Sequence, residues 1–439
     1  MMGRGGWGNG DEAGMIANRT IICVASDWSS GPTSKHHVMR LLSRHNRIIW
    51  VSYRASRRPG LNLSDARSAA SVIWRAFRGE RRLSPAMVEV TPLGVPGPVT
   101  GVIGRVHQRA VLWQIRRALR RCHASGAQPV QLWTFAPDVS FLAGQFGEER
   151  VVYYCVDEFA HFEGFDPDAI QIGERRLLER ADVVITSSEA LFQSKAPLHV
   201  NVHLVRHGVD VDHFAQALAP HAHKPALVER LTGPVVGFFG LLHHWVDVDL
   251  IAAVARRLPQ LHFVLIGQAH TNITALKSCS NVHLAGHRPY AELPAYCAAF
   301  EAAILPFKCN AFTPFINPIK LREYLAAGLP VVSTPMPEAE RYAPDVVTAE
   351  GADAFAEACL GAIGRSSHAE RLRRSRTMAG ETWEARVETL SRMVMSDGRD
   401  AGRHGGNGRA YHDVCGGERG VVGRLHDTQA RREPLLTGA

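Results

Sequence analysis

The chain has 439 residues, of which 46% are hydrophobic and 21% charged, a composition that excludes a disordered protein and predicts about two domains. Its formal net charge of +8 favours partners that carry phosphate or an anionic membrane face. No apolar run approaches the roughly 20 residues that span a bilayer, and the first residues lack an apolar signal core. The eight cysteines include no CxxC pair, so we expect reduced thiols in a cytoplasmic protein.

Short apolar runs rich in β-branched residues alternate with helical stretches along the chain. In chain order, the predicted strands are 21–25, 47–53, 87–95, 130–135, 151–156, 182–186, 235–239, 263–267, 282–286, 302–307 and 330–334. This alternation is typical of parallel sheets covered by helices, and the series is long enough for two of them. We therefore predict an α/β fold of two Rossmann-like, doubly wound domains.

The domain boundaries follow from changes in composition. Segment 202–214 is the predicted hinge, and residues 381–395 form an amphipathic helix that we expect to pack back on the first domain. After residue 397, glycine and arginine dominate without apolar periodicity, which predicts disorder. The expected organisation is a disordered N-terminus (1–18), a first Rossmann-like domain (19–203), a second Rossmann-like domain (204–365), C-terminal helices (366–396) and a disordered tail (397–439).

Two segments of the first half, 74–82 and 105–121, are strongly basic. The second combines six arginines with Leu112 and Trp113, which we place on an apolar face. Such a helix can lie on an anionic lipid surface. An ordinary helix that covers a core with a solvated basic face is the alternative, and the sequence leaves both open.

A helix start near residue 317 is the strongest binding signal. Asn317 suits an N-cap, Pro318 suits the first helical position, and Gly328 ends the helix. Lys320 then lies in the first turn, where free amides and the helix dipole favour a diphosphate. Glu323 follows on a neighbouring face, where its carboxylate could accept both hydroxyls of a ribose.

This helix and three other segments resemble GT-B glycosyltransferases, especially family 4 and its relatives. Glu323 with 327–332 is similar to the donor-binding stretch, 207–214 to the hinge signature, and 236–240 and 263–267 to the first two strand ends of the nucleotide domain. The resemblance covers roughly residues 180–365. It implies a GT-B fold in which residues 19–203 bind the acceptor and residues 204–365 bind the nucleotide-sugar. The implied co-substrate is a nucleotide diphosphate-sugar, with a UDP-sugar favoured and a GDP-sugar as the second option.

The sequence departs from the family pattern at two places. Phe315 stands where the first glutamate of the family's pair would fall, and the loop 241–245 has no Arg or Lys. Retention or inversion of configuration is therefore open, and the pattern is closest to transferases of capsule, exopolysaccharide and teichuronic acid assembly. The donor contacts that we predict are Lys320, Glu323, Asn317, Ile319, Gly240, His243, His244 and Arg288.

No metal site is expected. His243 and His244 are adjacent and their side chains converge poorly on one ion. No Asp-x-Asp follows a strand at the position used by metal-dependent transferases. We predict that nucleotide binding needs no metal and that no cofactor is permanently bound.

On the acceptor side, transfer needs a group that takes the acceptor proton. Asp157, directly after a strand, is the favoured base, with Glu158 and His161 in reserve and Asp27 as the other acidic candidate. The alternative is that Asp157 only caps the next helix. Trp28 could stack on a sugar or pack in the core.

The leading hypothesis is an enzyme that transfers a hexose from the nucleotide to a glycan or polyprenyl-linked acceptor in cell-surface polysaccharide synthesis. We expect it in the cytoplasm, with attachment to the inner face of the plasma membrane as an option, and we expect no nucleic-acid partner. A nucleotide-sugar epimerase of the same fold and a non-catalytic glycan-binding relative are the alternatives.

Overall fold

The computed structural model of the protein describes residues 14–53, 80–92, 101–162, 164–220 and 224–396. Three predictions lie wholly or largely outside these residues: the disordered N-terminus, the disordered tail, and the basic segment that carries Arg75 and Arg78. Within the described residues the chain forms two β-sheets, each accompanied by helices.

The first sheet has eight strands in the order β3-β4-β2-β1-β5-β6-β7-β8, and all its neighbours are parallel except the antiparallel pair β3 and β4. The second sheet has six strands in the order β11-β10-β9-β12-β13-β14, all parallel. The strands are β1 (Thr20–Ala25), β2 (Arg47–Ser52), β3 (Arg81–Ser84), β4 (Met87–Val90), β5 (Val130–Thr134), β6 (Glu148–Cys155), β7 (Val183–Thr186), β8 (Val202–Leu204), β9 (Val235–Phe239), β10 (His262–Ile266), β11 (Val282–Gly286), β12 (Ala302–Leu305), β13 (Val331–Ser333) and β14 (Val346–Thr348).

The α-helices of the described residues connect these strands. They are α1 (Ser34–Leu42), α2 (Gly101–His123), α3 (Pro167–Leu178), α4 (Glu189–Lys195), α5 (Val211–Ala215), α6 (Ala226–Glu229), α7 (Val248–Arg257), α8 (Thr274–Lys277), α9 (Leu293–Ala299), α10 (Ile319–Ala326), α11 (Pro337–Glu340), α12 (Ala352–Ile363), α13 (His368–Thr377) and α14 (Trp383–Met395).

The predicted fold class is confirmed, because both sheets are parallel apart from the β3–β4 pair and their central strands are buried on both faces. Along β1, Ile21 and Cys23 belong to one buried cluster, while Ile22 and Val24 belong to another on the opposite face. Each predicted strand is present. β4 ends at Val90, earlier than predicted, two residues before a proline that cannot donate a ladder hydrogen bond.

Three short strands were not predicted. β3 has an exposed, basic sequence, and β8 and β14 have three residues each, too few to give a periodic signal. β8 lies inside the segment 202–214, so this part of the predicted hinge adds an edge strand to the first sheet.

The chain passes between the two sheets twice, and the two passages touch each other. Val209 donates its N–H to Glu381 O at 2.9 Å, and it forms a β-bridge with Thr382. A Cβ on Gly208 would lie 2.8 Å from the Cα of Trp383, closer than real side chains allow. Glycine at this position therefore permits the close contact of the two passages.

After the second passage, α14 returns to the first sheet. Its buried residues Trp383, Val387, Leu390 and Val394 belong to the same cluster as the first-sheet residue Trp50. Residues at this spacing lie along one helix face, which explains how a short helix covers that side of the sheet.

The carboxyl ends of the two sheets meet. Ser187 directly follows β7, and its carbonyl oxygen accepts a hydrogen bond from the side-chain amide of Asn317, which follows β12. His161, in the loop after β6, stacks on Phe315 with ring centroids 5.6 Å apart. In open α/β sheets, the loops at the carboxyl ends of the strands carry the groups that bind ligands. The candidate active site therefore lies at this junction of the two sheets.

In helix α2, which contains the second basic segment, Trp113 lies on a different face from the one predicted. Val111, Ile115 and Ala118 face the core, whereas Trp113 is 55% exposed and lies beneath the guanidinium of Arg117. Trp113 therefore belongs to the basic outer face and not to a separate apolar side. Among the described residues, no helix combines the length and apolar character that a bilayer crossing requires.

Replacing Leu390 with Ala should lower the free energy of unfolding by about 2–5 kcal/mol, because it opens a cavity under α14. Urea unfolding followed by fluorescence would measure the change. Glu388→Ala, at an exposed position of the same helix, is the matched control and should shift stability by less than about 0.5 kcal/mol. Equal effects of the two substitutions would contradict the packing of α14 on the first sheet.

Candidate active site

The donor side is built where β9 and β10 end, at Gly240 and Gly267. Both glycines have positive φ, +147° and +144°. A Cβ on Gly267 would lie 1.8 Å from Gly240 O, and a Cβ on Gly240 would lie 2.2 Å from the Cε of Lys320. The two loops therefore meet backbone to backbone, and the aliphatic part of Lys320 lies across Gly240.

Lys320 occupies the first turn of α10, and Glu323 lies one turn further on. Burial lowers the pKa of Lys320, and Glu323 opposes that shift. Glu323 is 6% exposed, and burial raises its pKa to about 7 against the effect of Lys320, with Asp210 raising it further. The amine of Lys320 and the carboxyl group of Glu323 thus lie in the same poorly hydrated region. In such a region each group would interact strongly with a polar ligand.

The start of α10 differs from the prediction at Asn317. Pro318 is the residue that precedes the helix, and Asn317 does not cap it. Its side-chain amide instead donates to the carbonyl of Ser187, and its Oδ1 accepts from Arg322 Nη1 at 2.6 Å. The side chain is buried and committed to contacts between the two sheets, so its assignment as an N-cap was wrong.

Arg322 is fully buried on the same helix, and it was not singled out from the sequence. Its Nε donates to Glu381 Oε2 at 2.8 Å, and its Nη2 lies 3.6 Å from Glu338 Oε2. Its guanidinium also lies 5.4 Å from the ring centre of Tyr342. Only tertiary partners distinguish such an arginine from a solvated one, which explains why the sequence gave no signal.

The remaining predicted donor residues lie at different places. The side chain of Ile319 packs against the core cluster of the first sheet, so it faces the acceptor half. Arg288 is exposed in the loop after β11. His243 stacks on Trp245 at 4.1 Å, and its Nδ1 accepts the backbone N–H of His244 at 2.9 Å.

Tyr290 was also missed by the sequence analysis. Its ring stacks on His213 at 4.5 Å, and it lies 5.9 Å from His37 of the first half. Burial raises the pKa of its hydroxyl, as do Glu323 and Asp210. Tyr290 therefore borders the position of Glu323 on the side that faces α1.

On the acceptor side, Asp157 follows β6 and does not cap a helix, because the cap of α3 is Asp166. Burial raises the pKa of Asp157 to about 6, and Lys35 opposes the shift. Burial in turn lowers the pKa of Lys35, while Asp157 and then Cys23 raise it. Lys35, in the first turn of α1, is the electrostatic partner of Asp157, and the sequence analysis did not single it out.

Glu158 is not a free base. Its Oε2 accepts from Lys195 Nζ at 2.9 Å, and the same amine donates to Glu174 Oε2 at 2.8 Å. Tyr153 donates its hydroxyl proton to Glu174 Oε1 at 2.6 Å. The side chains of Lys195, Glu158 and Glu174, here called the Lys195 cluster, are between 4% and 11% exposed. Glu158 therefore anchors the loop that carries Asp157.

The structure also gives the surroundings of three other residues considered for the acceptor side. The Oδ1 of Asp27 accepts from Ser29 N at 2.9 Å and from Ser29 Oγ at 2.7 Å, so Asp27 organises the turn after β1. Trp28 packs against Trp50 with ring centroids 4.8 Å apart, which is the core alternative. His161 is exposed and stacks on Phe315 across the two halves.

No group of three or more potential metal ligands occurs among the residues that the structure describes. Lys320 and Glu323 interact on one side of the junction of the sheets, and Asp157 and Lys35 interact on the other. This arrangement can bind an anionic, hydroxyl-bearing ligand on one side and accept a proton on the other.

Two mainly parallel α/β sheets that meet at their carboxyl ends give the chain a GT-B fold. The structure superposes on sucrose-phosphate synthase from Thermosynechococcus elongatus with a TM-score of 0.60 at 15% identity, covering 85% of this chain and 98% of that one. It superposes on HepE of Anabaena, solved with UDP and glucose, with a TM-score of 0.58 at 15% identity, covering 84% and 97%.

The chain contains, at residues 233–364, a match to the family described as Glycosyl transferases group 1. It is 27% identical over 256 residues to a Bacillus subtilis (strain 168) protein with the provisional name teichuronic acid biosynthesis glycosyltransferase TuaH. That match covers 54% of this chain and 64% of the relative.

Replacing Lys320 with Ala should weaken UDP binding by about 1–3 kcal/mol, the range of a charge-assisted hydrogen bond, while uridine binding changes much less. Isothermal titration calorimetry with both ligands measures this difference. Lys308→Ala, at an exposed position after β12, is the control and should leave both affinities unchanged. An unaltered UDP affinity in the Lys320 variant would remove this residue from the phosphate site.

Proposed function

We propose that the protein is a glycosyltransferase that transfers a hexose from a UDP-sugar to a hydroxyl group of a glycan or lipid-linked acceptor. The observation that supports it best is the position of Lys320 and Glu323 on one helix at the junction of the sheets, opposite Asp157. The match of residues 233–364 to Glycosyl transferases group 1 supports the reaction class. HepE, one of the similar structures, was solved with UDP and glucose, which favours uridine as the nucleotide.

In this proposal the donor half binds the nucleotide. The first-turn amides of α10 and the amine of Lys320 bind the diphosphate, and the carboxylate of Glu323 accepts the ribose hydroxyls. Because Gly240 has no side chain, its backbone is accessible to the phosphates and Lys320 can lie against it. A Cβ at this position would collide with Lys320. The positive groups stabilise the charge that develops on the leaving diphosphate, without a metal ion.

The acceptor half supplies the base. The carboxylate of Asp157 takes the proton of the acceptor hydroxyl, whose oxygen bonds to the anomeric carbon as the bond to the diphosphate breaks. Lys35 keeps a fraction of this buried carboxyl ionised by opposing the effect of burial. A base on the side opposite the leaving group implies inversion of configuration.

A role in cell-surface polysaccharide synthesis is the biological setting that we propose. The name of the Bacillus relative supports it, and so does the basic outer face of α2. On that helix Val102, Val106 and Trp113 are more than half exposed, and the arginines between and beyond them are exposed as well. We propose that this face lies on the anionic inner surface of the plasma membrane, where lipid-linked acceptors are presented.

Replacing Asp157 with Asn should lower kcat by about a hundredfold or more while UDP binding is retained, because general-base catalysis contributes that much. In the unaltered enzyme the active form is the carboxylate, so kcat/KM should fall as the pH drops below about 6, the pKa of Asp157. The variant should lose this dependence. Initial rates of UDP release with an acceptor, measured from pH 5 to 8, supply both tests.

Asp168→Asn, at an exposed position of α3, is the matched control and should keep the wild-type rate and pH profile. The anomeric configuration of the product, determined by proton NMR, is an independent measurement. A retained configuration together with an active Asp157→Asn enzyme would exclude Asp157 as the base.

The protein should float with vesicles of phosphatidylcholine and phosphatidylserine at low salt and detach at high salt, because salt screens surface charge. Trp113→Ala should reduce flotation strongly, since it removes the largest exposed apolar group of the α2 face. Leu360→Ala, an exposed residue of the other half, should have no effect. Equal flotation of both variants, or none by the wild type, would contradict contact through α2.

A further inference from the structure

A cavity of about 270 Å³ lies beside the loop that carries Asp157. It is lined by Glu158, Ala160, His161, Gln171, Glu174, Arg175, Leu178, Lys195 and Leu198. Three of its wall residues form the Lys195 cluster, and two others, Ala160 and His161, come three and four positions after Asp157. His161 also contacts Phe315 of the donor half, so one side of the cavity adjoins the junction of the two sheets.

Burial of the charged groups of the Lys195 cluster costs free energy of folding. It places one amine and two carboxyl groups in positions that are each less than a tenth exposed. Burial disfavours the charged amine, although Cys155, Glu174 and Glu158 together raise the pKa of Lys195 above its usual value. Well-packed apolar residues often stabilise a protein as much as a buried ion pair does, so stability alone does not account for these groups.

The lining limits the chemistry of a ligand. An anion would meet two carboxyl groups, a cation would meet the amine of Lys195, and an apolar group would leave all of them without solvation. A neutral molecule with several hydroxyl groups avoids each conflict, because hydroxyls donate to carboxylates and accept from an amine. Leu178, Leu198 and Ala160 provide apolar surface for the C–H faces of such a ring.

The size of the cavity is also informative. It is smaller than the roughly 300–1,000 Å³ of pockets that enclose drug-sized molecules, which suits one sugar ring better than an oligosaccharide. Gln171 and Arg175 lie on the exposed side of α3, so the cavity is reached from solvent along that helix.

We propose that this cavity binds one neutral sugar unit of the acceptor, held by the Lys195 cluster. The inference rests on the proposed function, because it assigns a second contact to the same acceptor. Glu158 then has two connected roles: its carboxylate forms part of the sugar site, and its backbone continues the loop of Asp157. Occupancy of the cavity would bring the acceptor chain to the side of the catalytic loop that faces α3.

The test uses saturation-transfer NMR of the full-length protein, with UDP present, against a panel of neutral methyl hexosides and methyl N-acetylhexosaminides. At least one glycoside should bind to the wild type. Gln171→Trp should fill the cavity from its rim without replacing a residue of the Lys195 cluster, and the affinity of this variant for that glycoside should fall about tenfold or more. Ile172→Trp, on the same helix but outside the lining, is the matched control and should bind normally.

Glu174→Gln should cause a loss similar to that of Gln171→Trp, since it removes one carboxylate while keeping the shape. Calorimetry with UDP verifies that each variant is folded. It also separates the two proposals: failure of all proteins to bind UDP would count against the proposed function, whereas the glycoside result concerns only the cavity. The sugar site is overturned if no glycoside of the panel binds to the wild type, or if Gln171→Trp binds as well as Ile172→Trp.

Discussion

The buried guanidinium of Arg322 holds together the parts from which the site is made. It bonds to Asn317, whose amide reaches Ser187 of the first half, and to Glu381 at the second passage between the sheets. Loss of one partner would leave a charge buried without compensation, which typically costs about 3–5 kcal/mol. The helix that carries Lys320 and Glu323 is therefore fixed from its buried side.

A second set of ion pairs, formed by Arg206, connects the hinge to the network around Arg322. Arg206 Nε donates to Glu338 Oε1 at 3.0 Å, and its Nη2 lies 3.5 Å from Glu189 at the start of α4. Glu338 thus lies between the two arginines, and each half of the protein contributes charge to one connected set. Such networks are worth more together than as separate pairs, so the orientation of the halves and the position of α10 depend on each other.

The fold could be predicted because most of the sheet strands are short apolar runs, and local composition is sufficient to recognise such runs. Lys320 and Glu323 could be placed on one helix for the same reason, since their spacing and the Gly328 stop are local. Asn317 was misassigned because an asparagine before a proline has the composition of a cap, whereas its partner Ser187 lies 130 residues away. Arg322, Lys195 and Lys35 could not be recognised, because a lysine or arginine shows its role only through what the fold places beside it.

The contact of Gly208 with Trp383 limits how the donor half can be exchanged between related proteins. The donor half is an insertion between two parts of the acceptor half, since α14 completes the core of the first sheet. A chimaera that exchanges donor specificity must therefore be joined twice, once in each passage, and must retain α14 from the acceptor parent. A single crossover near residue 206 would import a foreign α14 and a foreign partner for Gly208, and the two parents would have to agree on that backbone contact.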